Sequence, residues 1–130
     1  MITEIAAWII VIGFFGLMCF QILLALGFPL GQAAWGGKYI KLPPRLRIAS
    51  LFSAGVFVAA SIFVLERAGV ISFFKSQTVV TTGVWILVGF LGLNTLSNLA
   101  SKSKLEKRVM TPVSFTLGLL CLIVAITASK

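Results

Sequence analysis

The sequence predicts an all-α, four-helix transmembrane bundle with both termini extracytoplasmic. Three observations predict it. Hydrophobic residues make up 59% of the 130 and charged residues only 11%, against roughly 25% charged in soluble domains, and the mean hydropathy is +1.11. The apolar residues gather into four runs, each close to the ~20 residues a helix needs to cross the hydrocarbon core. The basic residues gather into the first and third connections between those runs. A single domain over 1–130 accommodates this length. The net charge of +8 does not point to nucleic acid, because no basic residue falls on a soluble recognition element.

The first span is expected at about 5–28. No Lys or Arg precedes it and no small-residue cleavage site follows it, so it reads as a retained span and not as a cleaved signal peptide. The second is expected at 44–68, with Pro44 at the first helical position and Gly69 as its C-terminal cap, partnered by Val70. The third is expected at 79–99. The fourth is expected at 111–128, opening on Thr111 as N-cap with Pro112 behind it. Ahead of it, Ser103 and Glu106 have capping-box spacing and predict a separate short interfacial turn. Helices are required because each span must satisfy its own backbone in lipid.

Orientation follows from the basic residues. Lys38, Lys41, Arg45 and Arg47 lie in the first connection and Lys102, Lys104, Lys107 and Arg108 in the third, eight on one face against Arg67, Lys75 and Lys130 on the other. The positive-inside rule puts the eight in the cytoplasm. Trp8 and Trp85 then fall in the outer parts of their spans, and Trp35 and Tyr39 near the cytoplasmic boundary.

The chemistry available is narrow. The chain has no His, and its only acidic side chains, Glu4, Glu66 and Glu106, stand at or beyond span ends. Haem held by His, zinc sites built on His, and Ser-His or Cys-His nucleophiles each lack a required residue. No catalytic residue, metal or cofactor is expected. A proton-coupled exporter similar to the small multidrug transporters would carry an acid inside its first span, and Glu4 sits only at that span's edge. Cys19 and Cys121 lie within apolar runs and read as small hydrophobes.

Candidate contacts come from three places. Asn94 and Asn98, four apart, share a helical face with Leu87 and Leu91, while Gly89 and Gly92 fall on the other side with Trp85 and Leu96. Two packing surfaces predict a central position for the third span, the amides serving as interhelical hydrogen bonds or lining a substrate or water pathway. The segment 28–39, FPLGQAAWGGKY, is apolar yet opposed to a continuous helix by its glycines and proline. It reads either as an interfacial loop anchored by Trp35 or as a re-entrant, ligand-facing turn. Finally, Arg45 and Arg47 with Lys102, Lys104, Lys107 and Arg108 of the third connection read either as the positive-inside signal alone or as a cationic patch for anionic headgroups or a polyprenyl or lipid phosphate. Residues two apart on a helix diverge by about 200°, so one of Arg45 and Arg47 is expected to turn inward, toward the 27–37 segment or the last carbonyls of the first span. The other is expected to meet lipid phosphate.

Two internal echoes read either as chance, since G-F-x-G-L is common in membrane helices and the two matches differ in spacing by thirteen residues, or as a parallel duplication. Gly13-Phe14-Phe15-Gly16-Leu17 in the first span matches Gly89-Phe90-Leu91-Gly92-Leu93 in the third, and the basic connections share K-L-x-x-R at 41–45 and 104–108.

The order Gly27-x-Pro29-x-Gly31-x-x-Ala34-Trp35-Gly36-Gly37, then Leu42-Pro43-x-x-Leu46-Arg47-x-x-Ser50, then Asn98-x-x-Ser101-x-Ser103-x-x-Glu106 with Pro112 after it, resembles small bacterial four-span integral membrane proteins that are themselves uncharacterised. Met110 departs from them, standing where an aromatic residue is expected. The resemblance implies a bacterial plasma membrane and carries over no activity and no functional residue. The expected function is a non-enzymatic membrane protein that binds a small molecule or lipid, or serves as an accessory subunit. The alternatives are a small channel or transporter and, last, a lipid-modifying enzyme. Expected partners are the bilayer, anionic headgroups, and a second copy or another membrane protein.

Overall fold

The computed structural model describes residues 2–31, 39–73, 75–101 and 103–128. Four helices make up the fold, with no strand among the described residues: α1 (Ile2–Ala25), α2 (Pro44–Arg67), α3 (Gln77–Leu99) and α4 (Lys104–Thr127). Each has 23 or 24 residues. At 1.5 Å per residue that is roughly 35 Å, enough to cross a hydrocarbon core of about 30 Å. Only 22–28% of the most apolar window of each helix is buried within the bundle, so the remainder faces outward. Ile12, Phe52, Ile86, Leu93 and Phe115 are among the exposed apolar side chains. In water such a surface would drive association. In lipid it is the ordinary exterior of a bundle.

Local chemistry sets the helix ends. Pro43 in extended conformation and Pro44 at the first turn open α2, where a missing N–H costs nothing. α2 closes as expected at Gly69, whose φ of 82° allows Gly69 N to donate to Glu66 O and Val70 N to Leu65 O, the paired bonds of a Schellman cap. The same cap ends α1 three residues before the expected limit. Gly27 has φ 96°, Gly27 N donates to Leu24 O and Phe28 N to Leu23 O, so the chain leaves the helix although Phe28 is still apolar.

The fourth helix begins at Lys104, not at Thr111. Ser103 is the N-cap, its Oγ accepting from Glu106 N at 3.3 Å, and the helix runs through Pro112 without a break. The turn expected as a separate element is therefore its first turn. Lys104 to Arg108 are good helix formers, and a proline in the first part of a long helix costs one hydrogen bond that neighbouring groups can replace. Thr111 caps nothing; its Oγ1 is buried without a hydrogen bond among the described residues.

The helices form a ring in which each packs beside the next, α4 returns to α1, and α2 and α4 meet across the diagonal. A hydrogen bond between the Thr3 and Thr127 hydroxyls at 2.6 Å and the seating of Gly13 on Leu117 fix α1 and α4 as antiparallel. The core joins Ala7, Ile10 and Phe14 of α1 to Phe57 and Val64 of α2, Leu91 of α3, and Leu117, Cys121 and Val124 of α4. A smaller cluster, Leu24 and Leu42 with Phe20, Tyr39 and Leu46 against it, closes the end that carries the basic connections.

One expectation changes. α3 does not hold a central place: Leu87, Leu91 and Asn98 face inward, while Gly89 and Gly92 have nothing within 4 Å of where a Cβ would stand. One face of α3 reaches both of its neighbours, and the glycine face is left outward. The echoed G-F-x-G-L motifs agree at one glycine, Gly16 and Gly92 both having nothing within 4 Å of where a Cβ would stand, and differ at the other. Gly13 lies against Leu117 in the α1–α4 contact, whereas its counterpart Gly89 is open.

Candidate functional site

The basic end is built by the first turns of α2 and α4. Both helices present their N-terminal N–H groups there, a partial positive charge that adds to the side chains. Arg45 and Lys104 are exposed, as are Lys41, Lys107 and Arg108. Arg47 is the arginine that turns inward. Its Nε donates to Ala25 O, in the last turn of α1, at 2.9 Å, and its guanidinium lies 3.0 Å from where a Cβ on Gly27 would stand. It thereby caps one of the carbonyls that the end of α1 leaves without a partner in its own helix. A glycine at position 27 serves both needs, the left-handed backbone and the space for the guanidinium. Nearby, Gly31 N donates to Ile40 O at 2.8 Å, and a Cβ on Gly31 would run into the Tyr39 carbonyl. Trp35 and Lys102 lie outside the described residues, as does the 32–38 part of the segment read as interfacial or re-entrant.

The asparagines meet a partner that the sequence reading did not single out. Asn94 Nδ2 and Asn98 Nδ2 each donate to Ser114 Oγ at 3.0 Å. One hydroxyl oxygen can accept both. Ser114 and Asn98 are buried, so this is a clamp between α3 and α4, each bond contributing on the order of 0.6–2 kcal/mol in a membrane interior. Ser114 carried a usable signal: with Leu117, Cys121 and Val124 it forms the i, i+3, i+7, i+10 stripe that α4 turns to the core. Ser53, Ser61 and Thr95 donate back to the carbonyls of Ala49, Phe57 and Leu91 on their own helices, the usual way hydroxyls are satisfied inside a span.

A groove of about 230 Å³ opens between α1 and α2, lined by α1 from Val11 to Met18 and by α2 from Phe57 to Leu65. Phe14 and Phe57, both buried and with ring centroids 5.4 Å apart, form its inner wall. Phe15 and Val58 stand exposed along it. Among the described residues Ser61 is its one polar lining residue, and that hydroxyl is engaged with Phe57 O at 2.9 Å. No residue of α3 or α4 lines the groove, so it does not reach Asn94 and Asn98. Val11 to Met18 are the middle of α1, so the groove lies midway along a helix long and apolar enough to cross a membrane.

No group of three or more His, Cys, Asp or Glu side chains that could hold a metal ion occurs among the described residues. Comparison with protein-family models, with curated proteins and with solved structures returns no match to this chain.

Proposed function

We propose that this chain is a non-enzymatic, multi-pass membrane protein that holds the acyl chain of a membrane lipid between α1 and α2. The groove carries this reading. Midway across a bilayer water is excluded and the available occupant is hydrocarbon. Its lining offers no uncommitted donor or acceptor for a polar ligand. A volume of about 230 Å³ lies below the roughly 300–1,000 Å³ of pockets that enclose drug-sized molecules, which suits a segment of chain. A channel or transporter is less well supported, since the amides that would line a polar path are joined to Ser114 and the core beyond them is apolar.

The bacterial plasma membrane and the cytoplasmic placing of the basic end belong to the same proposal. Eight basic residues against three support the orientation, and the resemblance to bacterial four-span proteins supports the membrane. In that placing, Arg45 and Lys104 face the anionic headgroups of the inner leaflet. A second reading, an accessory subunit, is favoured by the outward glycines of α3, where another helix could approach closely.

Two measurements test the proposal. Ser61→Phe and Val58→Trp should fill the groove; native mass spectrometry of protein extracted from membranes is expected to show a lipid adduct on the parent that falls several-fold on both variants, with helicity retained. Equal adducts on all three would contradict lipid binding there. For orientation, in a background lacking Cys19 and Cys121, Ser72→Cys should be labelled from outside intact cells and Leu105→Cys protected. The reverse pattern would overturn the placing.

A further inference from the structure

We propose that the end of the bundle carrying both termini binds an oxyanion of the phosphate class through Arg67. Arg67 stands in the last turn of α2 and is 7% exposed. Its Nη2 donates to Ala125 O, in the last turn of α4, at a long 3.4 Å. Its Nε and Nη1 are buried and make no hydrogen bond among the described residues. The neighbouring carboxylate does other work: both oxygens of Glu66 lie 2.9 Å from Phe73 N, anchoring the connection that follows Gly69.

A buried guanidinium with unused donors is strongly disfavoured unless a counter-charge meets it. The carbonyls at the C-terminal ends of α2 and α4 offset part of this charge, but they are dipoles and leave the two buried nitrogens without a partner among the described residues. The rigid fork of a guanidinium matches phosphate oxygens, with charge-assisted bonds stronger than those to neutral acceptors. The position suits such a ligand, since the last turn of a span-length helix lies at headgroup level, where a lipid phosphate and a free phosphate can both arrive. This site is separate from the groove, because Arg67 reaches toward α4 and the groove lies between α1 and α2.

The test uses the purified full chain. Its thermal unfolding is followed in zwitterionic nanodiscs with increasing inorganic phosphate, and separately in nanodiscs containing phosphatidylglycerol. The parent is expected to be stabilised in at least one arm. A response to inorganic phosphate assigns a free anion, and a response confined to phosphatidylglycerol assigns a lipid headgroup. Arg67→Lys, which keeps the charge and loses the fork, should weaken the response about tenfold or more, and Arg67→Gln should abolish it. Lys75→Gln removes an exposed cation at the same end and should leave the response unchanged. If Arg67→Gln does not fold, Arg67→Lys carries the test. No response of the parent in either arm, or a response of Arg67→Lys equal to the parent's, overturns the proposal.

Discussion

Ser114→Ala is expected to destabilise the bundle by roughly 1–3 kcal/mol, because one substitution removes the acceptor of two amides and a buried donor left unsatisfied costs more than its bond contributed. The direction of the rescue is the sharper result. Asn94→Leu and Asn98→Leu added to Ser114→Ala remove donors and acceptor together, so the triple variant should recover most of the loss. Equilibrium unfolding in mixed micelles measures both steps. A neutral Ser114→Ala, or a triple variant no better than the single one, would mean that the clamp does not hold α3 to α4.

Arg47→Ala is expected to cost about 1.5–3 kcal/mol, the range for a hydrogen bond made by a charged group, with added loss from the space it opens beneath Gly27. Arg47→Lys should recover little, since an ammonium on a flexible stem does not reproduce the fork that reaches Ala25 O from α2. Arg45→Lys, at an exposed position, should be nearly neutral in the same unfolding measurement. If the two charge-preserving variants match, Arg47 makes no specific bond and serves only as a positive charge.

What could be read in advance was local. Pro44 opens its helix and Gly69 closes it because backbone chemistry needs nothing beyond adjacent residues. The start of α4 was ambiguous on the same grounds, as Ser103 and Thr111-Pro112 both carry start signals and only packing shows that Pro112 sits inside the helix. Asn94 and Asn98 advertised an interhelical contact by their spacing, yet the acceptor lay on another helix and required the α3–α4 register. The spacing of Arg45 and Arg47 predicted that they would part without saying which turns inward.

The faces of α3 and the groove were not legible for a different reason. In a soluble bundle an apolar stripe marks the core, but a span is apolar on its lipid side as well, so polarity does not separate Leu91, fully buried, from Leu93, exposed on the same helix. The burial of Arg67 was hidden likewise. A basic residue at a span end reads as solvated until the diagonal approach of α4 is known.

The claim of a lipid-holding groove is tested most directly by an experimental structure in a membrane of native lipids, at a resolution that shows side chains. The account predicts an elongated, continuous density running between α1 and α2 along Phe15, Met18, Val58 and Ile62, with Phe14 and Phe57 behind it. Those side chains closed over one another, with no density between them, would contradict it.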